Sequence, residues 1–316
     1  MIFLVVFLTT MAIEGQETAY GPGYQTVLIN NPAFTGSEGD GTLRLSYLNF
    51  YPGNNYNLHS VYVSYDTYIP VLHGGAGFFL TDDYLGGIIN DIRGGFSYAY
   101  HFQADKNLFI NAGLSASCYY RGFNNGRIIL PDQIDPLNGV FFPAGETISE
   151  RGRAVFDIGT GFMIISGKFF AALALNHLAT PDLSGSGLQT DRIERKLTLN
   201  LAGEFDMNKN LQIVARPVIL AELQGRGLSG GAGGSLENNS LSVSAVLLAN
   251  SAKNIDLQVG CSLKTGKLLF YYNYRFNIAS CNKMLPVSVI HQTGLVFRLN
   301  FVDKRKIIKT INFPKL

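Results

Sequence analysis

The chain has 316 residues, 47% of them hydrophobic and only 15% charged, with a net charge of +2. Soluble domains carry about 25% charged residues; a chain this apolar is not disordered, and a net charge so near zero gives no overall nucleic-acid footprint. Five basic residues against one Asp give the last fourteen positions a charge of +4, so the remainder carries −2.

The first predicted element is the apolar run Ile2 to Ile13, which has the length of a signal-peptide core and is too short to span a bilayer as a helix. Cleavage near Gly15 divides the chain into a signal peptide (1–15), an N-terminal periplasmic segment (16–41), a β-barrel (42–302) and a basic C-terminal tail (303–316). No later window holds 18 consecutive apolar residues, so helical spans are not expected.

From Thr42 onward the pattern has period two. Leu268, Phe270, Tyr272, Tyr274 and Phe276 share one face, while Asn273, Arg275 and Asn277 share the other. Leu197, Leu199, Leu201 and Phe205 likewise oppose Thr198, Asn200, Glu204 and Asp206. Strands with one apolar and one polar face separate two environments. About fourteen such runs begin near Thr42, His59, Gly75, Ile89, Lys106, Ala154, Lys168, Leu197, Leu211, Leu228, Ser240, Asn254, Lys267 and Val287. Twelve or sixteen strands also fit, because the Gly-rich run from Leu228 is weakly patterned. Arg44, Arg93, Glu204, Asp206, Asp256, Arg275 and Arg298 fall on the polar face.

The connections alternate in length. Short turns such as Ser166-Gly167-Lys168 and Lys264-Thr265-Gly266-Lys267 take every second place. Between them come longer segments: Tyr51 to Leu58, Asp82 to Asn90, Asn124 to Arg153, Ala179 to Arg195 and Asn277 to Pro286. This alternation predicts a transmembrane antiparallel β-barrel of the outer membrane, with short periplasmic turns and longer external loops. Pro217 falls inside a predicted strand, and a closed barrel has no edge to host it, so a bulge is expected there. The final strand, Gln292 to Leu299, resembles the C-terminal signal read by barrel assembly machinery.

Candidate chemistry is sparse. The five histidines share no metal-ligand spacing, and the three cysteines are far apart. Cys118 and Cys261 read as buried small hydrophobes. Gly230 to Gly234 does not open a helix after a strand, which argues against a phosphate cradle. No catalytic, cofactor or metal residues are therefore expected; a hydrolase would need Asp132 and His177 to converge at the rim.

Several segments resemble one family. Asn31-Pro32-Ala33-Phe34-Thr35-Gly36-Ser37, the strand from Leu43 to Pro52, Ser64 to Pro70 and Leu72 to Phe79 resemble the opening of the PorP/SprF family. Leu130-Pro131-Asp132-Gln133-Ile134-Asp135, Asn176 to Pro181 and the region of His291 are similar to later family motifs. Departures are Leu130 where the family often has Phe, Gln292 where an acidic residue often follows the His, and the basic tail. The resemblance implies an outer-membrane protein of type IX secretion in Bacteroidota, non-enzymatic, supporting export or surface anchoring of secreted proteins and gliding adhesins. It implies as partners a secreted cargo or adhesin and other secretion components, with outer-membrane lipid around the barrel and no small-molecule substrate. The long insertion Asn124 to Arg153 is the candidate contact region, since a loop of that length is usually functional or disordered. Pro131, Asp132, Gln133, Phe141 and Phe142 are its candidate partner-binding residues, because exposed aromatics anchor interfaces. A lumen plug is the alternative role for this loop. A porin-like diffusion channel is the alternative for the whole chain.

Overall fold

The computed structural model describes residues 25–39, 41–53, 58–124, 134–135, 139–140, 152–184, 191–208, 212–280 and 289–299. Its barrel strands are β1 (Thr42–Phe50), β2 (Leu58–Ile69), β3 (Gly74–Leu85), β4 (Ile89–Asp105) and β5 (Leu108–Phe123). A small hairpin, β6 (Ile134–Asp135) and β7 (Gly139–Val140), stands apart in the long insertion. The wall continues with β8 (Arg153–Ser166), β9 (Phe169–Asn176), β10 (Lys196–Gly203), β11 (Phe205–Asn208) and β12 (Ile213–Gln224). It ends with β13 (Gly227–Glu237), β14 (Leu241–Asn250), β15 (Ile255–Thr265), β16 (Leu268–Ala279) and β17 (Val289–Arg298).

Neighbouring strands pair antiparallel throughout, and β1 pairs with β17 from Thr42↔Arg298 to Phe50↔Ile290. This pairing closes the sheet. Because β10 and β11 both pair with β12 and form one interrupted strand, the wall is a barrel of 14 strands. Closure satisfies every strand edge, which is the condition for crossing hydrocarbon with strands.

Burial is inverted relative to a soluble protein. Phe96 is 75% exposed, Leu114 62% and Phe156 58%, all on the outer face, whereas the polar Arg93, Asn111 and Asp157 are buried inside. The alternation read from the sequence thus separates lipid from lumen. Cys118 and Cys261, expected to be buried, lie on the exposed outer face, where hydrocarbon replaces the protein core as their apolar environment.

Two local expectations change. Asp82 to Asn90 is not a long loop: β3 and β4 stay paired up to Leu85↔Ile89 and turn through Gly86 and Gly87 at positive φ. Pro217 makes no bulge. It pairs in register with Gly234 on β13, while Ala202↔Val218 and Phe205↔Ala215 keep one register on the other side. Lacking an N–H, Pro217 interrupts pairing opposite Gly203–Glu204, and so splits β10 from β11. The register shift comes later, between Asp206 and Asn208. Outside the interruption, Phe205, Met207, Pro217, Leu236, Val243 and Ala245 line a groove.

The segment assigned by sequence to the periplasm contributes residues 25–39 to the interior of the wall. Val27–Asn30 forms one helical turn and Pro32–Phe34 a 3-10 turn. Val27, Leu28, Ala33 and Phe34 are at most 4% exposed and join a cluster with Leu48, Tyr62, Phe79, Phe109, Met163, Phe170, Val218 and Val246. These aliphatic and aromatic side chains project inward from strands whose other inner positions are polar. A polar lumen would leave them facing water; the N-terminal segment covers them. The signal peptide and the basic tail lie outside the described residues.

Candidate functional site

The interior feature most distinct from a bare barrel is the path of residues 25–38. Asn31 starts it. Its extended backbone precedes Pro32, its Oδ1 accepts from the Ala33 N–H at 2.9 Å, and this caps the 3-10 turn. From there the segment is tied to one strand after another.

Asn273 on β16 donates to Gln25 Oε1 at 2.7 Å. Asn176 at the end of β9 donates to Asn30 O at 2.9 Å, and Asn31 Nδ2 donates to Leu173 O on the same strand. Asn111 on β5 donates to Ala33 O. On β4 the hydroxyls of Thr35 and Ser97 are 2.9 Å apart, and His101 Nε2 donates to Thr35 O at 2.9 Å. The Gly36 N–H donates to Asp66 Oδ2 on β2 at 2.7 Å. Glu38 then accepts from Arg44 on β1 at 2.7 Å and from Arg298 at the end of β17 at 2.9 Å. The segment crosses the lumen from β16 to β9, then follows the inner wall back to β1; we call it the belt.

The wall is shaped to receive it. A Cβ at Gly75 would overlap the Thr35 carbonyl, one at Gly113 the Pro32 and Ala33 backbone, and one at Gly161 the Asn31 side chain. Gly36 itself sits at φ +70 against Gly75, a conformation and a clearance that only glycine provides. The sequence marks these positions only as ordinary strand glycines. The motif Asn31 to Ser37, by contrast, is legible as a unit, and the structure shows why its small and amide side chains occur together.

Where the belt meets the wall at the short-turn end, Arg44 and Asp66 form an enclosed ion pair, with side chains 3% and 1% exposed. Glu38 links this pair to Arg298. A second ionic cluster occupies the long-loop end. Asp157 on β8 accepts from His177 Nδ1 at 2.8 Å, and Arg93 on β4 approaches the same carboxylate oxygen at 3.9 Å. The Arg93 guanidinium lies over the rings of Phe79 and Tyr119, 5.3 and 4.6 Å from their centroids. His177 adopts positive φ and turns the chain out of β9. Leu183 and Ile193 then pack with Tyr119 and Val155 over this end. The cluster is enclosed, with His177 and Asp157 no more than 1% exposed, and joins the wall to the segment that follows β9.

Of the lumen charges read from sequence, Arg44, Arg93 and Arg275 are buried as expected. Arg275 donates to Gln258, Glu204 pairs with Arg216, and Asp256 accepts from Asn277. Asp206 instead pairs with Lys168, both about half exposed. Among the described residues no group of three or more His, Cys, Asp or Glu could hold a metal ion. Pro131, Asp132, Gln133, Phe141 and Phe142 lie outside the described residues, and so does any approach of Asp132 to His177.

The barrel is similar to two solved structures. The Ralstonia pickettii toluene transporter TbuX matches with a TM-score of 0.53 and 13% identity, covering 87% of this chain and 94% of that one. The Pseudomonas putida toluene transporter TodX matches with a TM-score of 0.52 and 14% identity, covering 91% and 96%. At this identity the likeness establishes the outer-membrane barrel fold alone. No curated protein matches the sequence. The profile described as "Type IX secretion system membrane protein PorP/SprF" matches residues 13–292, taking in the belt and nearly the whole wall. The chain belongs to the PorP/SprF family of type IX secretion system membrane proteins.

Proposed function

We propose that this barrel works in type IX secretion as a filled scaffold, holding or guiding a secreted protein or gliding adhesin at the outer membrane, and not as an open diffusion channel. The belt is the observation that carries this reading. A porin keeps its lumen as an aqueous channel. Here inner-wall groups that would face such water, among them Asn111, Asn176, His101 and Asp66, are hydrogen-bonded to residues 30–36. A barrel whose interior is occupied by its own chain has its loops and rims left for binding. The insertion bearing Pro131, Asp132, Gln133, Phe141 and Phe142 is the contact we assign to the cargo, with other secretion components meeting the short-turn end and the basic tail.

The test uses native outer membrane. The double change Phe141→Ala with Phe142→Ala should leave the barrel folded and reduce the cargo retained at the surface or co-purified with it. Loss of an interface anchor of this kind costs about 2 kcal/mol or more, roughly a thirtyfold weakening of binding. Unchanged cargo together with open conductance of the wild-type barrel in planar bilayers would replace the scaffold by a channel.

A further inference from the structure

Gln25 and Glu38 both reach the β1–β17 seam, Gln25 through Asn273 at the level of Gln292 and Glu38 six positions further along β17 at Arg298. The belt's first described residue, Gln25, accepts from Asn273 on β16. The same Asn273 Nδ2 lies 3.1 Å from Gln292 Oε1 on β17, and Gln292 Nε2 donates to Ser46 Oγ on β1 at 3.1 Å. The belt's other end, Glu38, accepts from Arg44 on β1 and from Arg298 on β17. Two polar chains therefore cross the join between the first and last strands, and each begins on the belt.

We propose that the N-terminal segment is a buckle for the barrel: it docks on the closed wall and locks the β1–β17 seam against opening. The geometry makes docking and closure mutually dependent. The two oxygens of the Glu38 carboxylate are shared between guanidinium groups on opposite sides of the seam, so one is lost when the strands part. Arg44 stays paired with Asp66 in either case, which leaves Glu38 and Arg298 as the contacts that sense closure. Within the belt the glycine-lined wall at Gly75, Gly113 and Gly161 fixes the path, so Glu38 arrives at the seam only when the whole arc is seated. Ligation of this kind stabilises the state that forms the site and not the open one.

The experiment compares two cross-strand disulfides in the full-length barrel. Tyr47 pairs with Thr293 across the seam, and Val243 pairs with the native Cys261 between β14 and β15. Glu38→Gln should lower the temperature at which the folded, heat-modifiable band is lost by roughly 10 °C, as expected when one partner of a largely buried ion pair is removed. Oxidising the pair Tyr47→Cys with Thr293→Cys should restore the wild-type temperature in the Glu38→Gln background. Oxidising Val243→Cys with Cys261 should not. Equal rescue by both disulfides overturns the buckle and leaves a general stabilising contact, and so does an unchanged temperature in Glu38→Gln. If Glu38→Gln fails to assemble, recovery of assembly with the oxidised seam pair supports the proposal, and failure to recover overturns it.

Discussion

The two ends of the lumen each enclose an ionic cluster, and the clusters differ in what they join. At the long-loop end Arg93, Tyr119, Asp157 and His177 come from β4, β5, β8 and the end of β9, four strands adjacent in the wall. At the short-turn end Glu38, Arg44, Asp66 and Arg298 join the belt to β1, β2 and β17, with Glu38 and Arg298 260 positions apart in sequence. Burial raises the cost of an unpaired charge at both ends. The first cluster spends that cost on placing a loop and the second on placing the chain's two ends against each other. The difference teaches that burial alone does not tell what an ionic cluster does; the connectivity of its members does.

The largest expected effect comes from removing the anion shared by the belt and the wall. Asp66→Ala strips Arg44 of its closest partner and leaves the Gly36 N–H without its acceptor. The loss should be about 3–5 kcal/mol of barrel stability, read as folded protein surviving graded denaturant. A normal unfolding profile would erase the distinction between the clusters.

Gly113→Val should come next. Its side chain would overlap the belt at Pro32 and Ala33, and overpacking of this kind costs about 1–3 kcal/mol. The strand itself accepts Val, so the belt should shift while the wall persists. Raised ion conductance with retained heat-modifiability checks this.

Asp157→Asn should cost less, about 1–2 kcal/mol, because the introduced amide can still bond His177 and the contact with Arg93 is at 3.9 Å. Its effect should be confined to the segment after β9, measured as faster amide exchange at Leu178 and Leu183 with unchanged exchange in β1 and β17. Equal loss in both regions would show that the two clusters are not independent.

The smallest effect concerns Asp182 in that same loop. Its carboxylate accepts from the backbone N–H of Ser184 and Asp191, which holds its pKa below the ordinary 3.8. A depressed carboxylate stabilises the loop above that value and loses the contribution as pH falls through the lowered pKa. The protection of the loop amides, their exchange relative to the intrinsic rate at each pH, should therefore stay flat from neutral pH down to about 4 and fall only in stronger acid.

Much of the wall is legible in the sequence because lipid imposes the simplest pattern a strand can carry. All fourteen predicted starts correspond to barrel strands, since an outward Leu197, Leu199 and Leu201 against an inward Thr198 and Asn200 leaves one way to face the membrane. Strand length is less legible: β4 and β5 run 17 and 16 residues, because the pairing of β3 with β4 extends through polar positions such as Asp82 and Asn90. Pro217 is recognisable as an obstacle, but its remedy is not, because a missing N–H can be absorbed by unpairing the neighbour as well as by bulging. The interior is the least legible. Nothing in the spacing of Gly75, Gly113 and Gly161 says that they share a ligand, and nothing in the composition of residues 25–38 says that it lies inside a barrel. Its partners are set by tertiary closure, which no local period encodes.

The belt also sets an order of events. Its partners stand 78, 146, 248 and 260 residues down the chain at Ala33–Asn111, Asn30–Asn176, Gln25–Asn273 and Glu38–Arg298. Contacts so distant in sequence cannot form until the intervening chain has been brought together, and they are made late for that reason. The segment that leaves the ribosome ahead of every strand therefore finds its place together with the closing pair of first and last strands, whose partners Thr42 and Arg298 are about as far apart in sequence. One slow late phase in which seam closure and N-terminal ordering coincide is the kinetic signature this fold should leave.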